Sequence, residues 1–153
     1  MKNFLHETIV KAEGSKRLSQ LLILISFLLS FIFIRTITHL QKAGIFPDQN
    51  GVFHIHHMVP GILLLLVSGY FGIAYWHNRK LHLYMSVFFG IGAALTLDEF
   101  ALWLFLKDVY WEKQGRNSID AILIMFAFLV ISFLISEIHD HKHIKKIYKL
   151  LKK

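Results

Sequence analysis

An all-α polytopic membrane protein, built as a four-helix transmembrane bundle running up-down-up-down, is the fold class this sequence predicts. Three observations predict it. The chain of 153 residues is 55% hydrophobic, with a mean hydropathy of +0.51, above the roughly 45–50% apolar content of soluble domains. Its apolar residues fall into four runs, each about the twenty residues a helix needs to cross a hydrocarbon core of roughly 30 Å. Short polar connections join the runs and make neighbouring helices antiparallel.

The runs cover about 18–40, 53–76, 83–106 and 118–138, so residues 1–153 form a single transmembrane domain with no repeat or low-complexity tract. The first is expected to be a retained helix, because its apolar stretch is longer than a signal peptide's and no small-residue cleavage site follows it. Pro47-Asp48 and Asn50-Gly51 supply turn chemistry before the second run. A polar loop, "KDVYWEKQGRN", separates the third from the fourth. Beyond the fourth, residues 139–153 continue as a basic, amphipathic helix expected to lie at an anionic inner leaflet. His139, His141 and His143 in that segment are two residues apart, which scatters them around a helix.

Seventeen Lys and Arg against ten acids give a formal charge of +7. The cations gather before the first run, between the second and third (Arg79, Lys80) and after the fourth. By the positive-inside rule both termini are then cytoplasmic and the chain sits in the inner membrane. This clustering explains the charge better than nucleic acid does, so no nucleic-acid partner is expected. With no cysteine in the chain, thiolate nucleophiles and Cys-ligated metals are excluded, leaving imidazole and carboxylate as donors. The glycine fingerprints of phosphate loops and of flavin or nicotinamide sites are missing too.

Polar groups kept at membrane depth carry most information, since a charge near a helix centre costs at least about 2.5–3.5 kcal/mol on insertion scales. Asp98 and Glu99 fall about eight residues from the outer end of the third run, on the order of 12 Å deep. His57 enters the second run from that side, Asp120 the fourth, and Arg35 lies one turn inside the first. Each run thus brings an ionisable group to the outward half. The expected arrangement is an outward-opening pocket with a histidine rim and a floor of Asp98 and Glu99. His54 and His57, three apart, are expected to share a helix face, with His56 turned towards the loop or the headgroups.

Structural roles compete with chemistry at each position. His54 and His57 precede Pro60 and can cap a helix start. Asp98 and Glu99 can pair with Arg35 to fix register, although one arginine cannot neutralise two adjacent acids about 100° apart on a helix. Asp120 suits either the pocket or the first helical turn, with Asn117 or Ser118 as the cap. Tyr110 and Trp111 read as interfacial anchors, or, with Asp108 and Arg116, as a lid selecting a headgroup or anion. Glycines in the second and third runs read as close helix packing.

The stretches "HIHHMVPGILLL", "LTLDEFALWLFLKDVYW" and "GRNSIDA", within residues 54–121, resemble small uncharacterised bacterial four-helix integral membrane proteins. The resemblance implies a bacterial inner-membrane setting and carries no activity.

Three functions follow from the residues. A metal-dependent hydrolase of a lipid or lipid-linked substrate would hold a divalent zinc, iron or manganese ion with His54, His57 and Asp98, Asp120 being the further ligand candidate. Glu99 would then activate the bound water. An oligomeric transporter or channel would pass protons or a divalent cation through the same groups, and needs further copies of the chain. A non-catalytic sensor or partner subunit would use the histidines to register pH or metal. Membrane lipids are the partners common to all three.

Overall fold

In the computed structural model the structure describes the backbone of residues 2–45, 56–107 and 110–151, and the side chains of 16–45, 56–107 and 110–139. Among the described residues the chain is helical: α1 (Lys2–Lys42), α2 (Met58–Ala74), α3 (Arg79–Asp98), α4 (Phe100–Phe105) and α5 (Arg116–Leu151), with a 3₁₀ turn at Lys113–Gly115. Three stretches, Lys16–Lys42, Arg79–Asp98 and Lys113–His139, are long and apolar enough to cross a membrane. The second run departs from expectation: α2 begins only at Met58, and its 17 residues span about 26 Å, slightly short of a hydrocarbon core. The third run is divided in two by a break at Glu99.

Helix starts follow local chemistry. Asn78 caps α3, its side chain accepting from the Leu81 amide at 3.2 Å. Pro60 occupies the first turn of α2, where a missing N–H removes no helical bond. The end of α4 is marked by Leu106 in a left-handed conformation, φ 51°, which unwinds the helix and turns the chain towards the loop.

Helix α3 is the centre of the assembly and packs against α1, α2 and α5. Small residues on α3 make this possible. A Cβ on Gly92 would lie 2.8 Å from the Gly61 carbonyl oxygen of α2, and one on Gly61 would lie 2.9 Å from the Thr96 amide. A Cβ on Gly90 would lie 2.5 Å from the Ile23 carbonyl of α1 and closer still to the Ser26 hydroxyl. These are backbone-to-backbone contacts of the small-residue kind found between membrane helices. The pairings also set direction. Gly61 lies against Leu95 and Thr96, while Gly72 lies against Met85, so α2 is antiparallel to α3. Gly90 with Ser26 and Asp98 with Arg35 make α1 parallel to it. Ala101 beside Ser118 places the start of α5 at the end of α3.

The buried apolar centre is small, formed by Phe27, Ala93, Ala94 and Ile122 with Phe31, Leu65, Leu97, Met125, Phe126 and Leu129 around it. Most large apolar side chains face outward instead, among them Ile73 at 80% and Ile124 at 72% exposure. That surplus is opposite to the burial expected in water.

Candidate functional site

The site grows from the break in α3. Were the helix continuous, Asp98 and Glu99 would point about 100° apart. Glu99 instead leaves helical geometry, at φ −106° and ψ 23°, and both carboxylates reach the start of α2. The break exposes new backbone donors at the first turn of α4, one of which, the Ala101 amide, donates to the buried Ser118 hydroxyl at 3.0 Å. Ser118 therefore bridges α4 and α5 and does not cap α5, which opens at Arg116 behind the 3₁₀ turn.

Asp98 is fully buried and accepts from three directions. Arg35 Nε donates to Oδ1 at 2.5 Å, Tyr110 donates its hydroxyl to Oδ2 at 2.9 Å, and His57 Nε2 lies 3.0 Å from that same oxygen. Such a set suits an ionised carboxylate, which has about four acceptor positions. Arg35 also stacks on Tyr110, its guanidinium carbon 4.5 Å from the ring centroid. Its Nη2 is buried with no hydrogen-bond partner among the described residues.

Glu99 accepts from the Met58 amide at 2.9 Å through Oε2. It thereby caps α2 from a different helix, where a negative charge also meets the positive end of the helix dipole. Its Oε1 lies 2.8 Å from His56 Nδ1 and 3.6 Å from His57 Nδ1. His57 makes no side-chain cap of its own helix, contrary to one sequence expectation. His56, expected to turn towards the loop or the headgroups, faces the site instead. His56 and His57 both precede α2, so helical spacing does not govern them, and His56 turns inward onto Glu99. His54 lies outside the described residues, as does Asp108.

Tyr110 closes one side of the cluster. Its hydroxyl is 3.1 Å from the Thr38 hydroxyl, and burial, followed by the nearby negative charge of Asp98, raises its phenol above the ordinary tyrosine range. Trp111 stays half in solvent, meeting His39 edge-on at 5.2 Å, with Lys42 Nζ 4.0 Å from its ring centroid. Together the two aromatics fasten the loop onto the end of α1. Thr38 and the Met58 amide join the site without any sequence signal that marked them, and Ser118, expected as a helix cap, joins it as well.

Two expected members are not brought in. Asp120 is exposed on α5 and lines a separate apolar groove with Phe100, Leu104 and Asn117. The reason is rotation: Ser118 faces the cluster, and residue 120 is turned about 200° from it on the helix. Arg116 is exposed at the α5 start and shares no contact with the cluster among the described residues. A small cavity of ≈ 10 Å³ beside His56, Glu99, Tyr110 and Ser118 has room for about one water. Among the described residues no three or more His, Asp or Glu side chains stand in a metal-holding arrangement.

No family model, curated protein or solved structure matches this chain.

Proposed function

We propose that this chain is an inner-membrane protein of four spanning helices, both termini cytoplasmic, that binds a divalent metal ion in its outward half. The observation that carries this reading is the placement of His57 between two carboxylates. A neutral imidazole has a single N–H. The buried Asp98 carboxylate can only accept, so the hydrogen belongs on Nε2, which leaves the Nδ1 lone pair directed at Glu99 Oε1, 3.6 Å away. Two such electron-rich atoms share a cation, a role that a proton on Nδ1 fills as an ion pair and that a divalent metal ion fills in its place. The carboxylate that accepts from the far side of a ligating imidazole is the usual support of a metal-bound histidine, fixing its tautomer and orientation.

In this reading His57, His56 and Glu99 would hold the ion and Asp98 would orient His57. Nitrogen and oxygen donors without thiolate suit zinc, iron or manganese. Binding would replace the His56–Glu99 hydrogen bond, the imidazole hydrogen moving from Nδ1 to Nε2 so that Nδ1 faces the ion. When bound, the ion would activate a water molecule, for which the cavity beside Glu99 leaves room. Hydrolysis of a lipid or lipid-linked substrate is the reaction class we favour. Transport is less well supported, because the buried centre around α3 is apolar (Phe27, Ala93, Ala94, Leu97), and the Ser68 and Ser86 hydroxyls are bonded to their own helices.

Elemental analysis of detergent-purified protein tests the reading. About one equivalent of zinc, iron or manganese, lost in His57→Ala and retained in Asp120→Asn, is the expected result. Metal-free protein that takes up none of the three on titration would overturn it.

A further inference from the structure

A second feature opens on another side of α4. An apolar groove of ≈ 580 Å³ is walled by Leu97, Phe100, Leu104, Ile124, Met125 and Phe128, with Asn117 and Asp120 also on its lining. Along α5, the eleven-residue step from Asn117 to Phe128 covers about 16 Å. That is the thickness of one leaflet, half of a hydrocarbon core of roughly 30 Å. Asp120 is exposed and makes no hydrogen bond or ion pair among the described residues. An unpartnered carboxylate on a membrane-facing wall is rare, since such groups normally turn inward or find a partner.

We infer that the groove is a binding site for one outer-leaflet aminophospholipid: an acyl chain lies along α5 between Leu104 and Phe128, and the headgroup ammonium pairs with Asp120. The match of groove length to leaflet depth argues for an acyl chain. The isolated negative charge at the shallow end of the groove argues for a cationic headgroup, and against an anionic one. This inference rests on the transmembrane placement proposed above and not on the metal, so metal content and lipid retention are separable readouts.

The test is native mass spectrometry of the full chain released from nanodiscs containing equal amounts of phosphatidylethanolamine and phosphatidylglycerol. Wild-type protein should retain phosphatidylethanolamine about fivefold over phosphatidylglycerol. Asp120→Asn should bring the ratio near one. Ile124→Trp, which fills the groove, should reduce retained lipid of both kinds, whereas Leu134→Trp elsewhere on α5 should not. Metal content measured on the same samples should be unchanged in Asp120→Asn. Equal retention of the two lipids by wild type would overturn the inference, as would an Asp120→Asn ratio identical to wild type. Release of a dimer whose copies cross-link through position 124 would assign the groove to a second chain and overturn it as well.

Discussion

His57 Nε2 stands 3.0 Å from Asp98 Oδ2, and through this contact the start of α2 is tied to the end of α3. The same carboxylate holds Arg35 of α1 and Tyr110 of the loop before α5. One buried acid thus joins four segments. Its removal has structural and chemical consequences that can be separated.

Asp98→Ala leaves the guanidinium of Arg35, only 15% exposed, without its counter-charge. Breaking a buried pair from one side typically costs about 3–5 kcal/mol, whereas replacing both partners by apolar groups is often neutral. Denaturant unfolding in detergent micelles should therefore show Asp98→Ala destabilised by about that amount. The double variant Arg35→Met/Asp98→Leu should recover part of it, since it removes the unpaired charge but leaves the Tyr110 and His57 donors without their acceptor. A single variant as stable as wild type would contradict the pairing.

Metal affinity should fall by different amounts at three polar positions, Asp98, His57 and Glu99. Asp98→Asn retains the shape of the support but weakens its acceptance from His57, and loss of such outer partners costs about 10–100-fold in affinity. Removal of a direct ligand, in His57→Ala or Glu99→Gln, should cost more than Asp98→Asn does. Titration with zinc followed by calorimetry orders the variants. A smaller effect at His57 than at Asp98 would invert the assigned roles.

Much of this architecture is written in the chain, but the site is written only in part. Long apolar helices follow from run length alone: α1 and α5 contain the first and fourth expected stretches, and α3 the larger part of the third. Arg35, Asp98, Glu99 and His57 stand out because charge is costly among apolar residues, and the structure brings them together. The break at Glu99 is not legible, since "LTLDEFALW" has neither proline nor glycine and the interruption is held by tertiary partners, the Met58 amide and Ser118. The inward turn of His56 has a partial signal in the sequence. Pro60 belongs in the first turn of a helix, which places the histidines ahead of it, where face spacing has no meaning. Asp120 lies on α5 but faces away from the cluster, because depth along a helix says nothing about rotation around it.

Tyr110 gives the fold a pH dependence on the alkaline side. Burial and the charge of Asp98 raise its phenol in the folded state. A raised value means that the unfolded chain ionises first. The contribution is therefore complete below the unfolded value of about 10 and is lost as pH climbs above it towards the folded value. The stability difference between wild type and Tyr110→Phe should hold constant from pH 7 to 9 and shrink above pH 10. Absorbance of tyrosinate should show one fewer late-ionising group in Tyr110→Phe. A difference that grows with alkalinity would have the wrong sign for a buried, protonated phenol.

Gly92 tests whether helix packing sets the geometry of the site. A Cβ there would lie 2.8 Å from the Gly61 carbonyl and 3.0 Å from the Leu65 amide, both backbone atoms that no rotamer change can move aside. Gly92→Val must push α2 away from α3, and overpacking of this kind costs about 1–3 kcal/mol. The displacement is carried to the start of α2, where His56 and His57 meet Glu99 and Asp98. Stability and metal affinity should therefore fall together in Gly92→Val, although residue 92 is nearly two helical turns from the acids. Gly69→Ala is the matched control, because a Cβ at Gly69 meets nothing within 4 Å. It should leave both quantities at wild-type values. Metal affinity unchanged in a destabilised Gly92→Val would mean that the cluster keeps its own geometry, without help from the helix crossing beneath it.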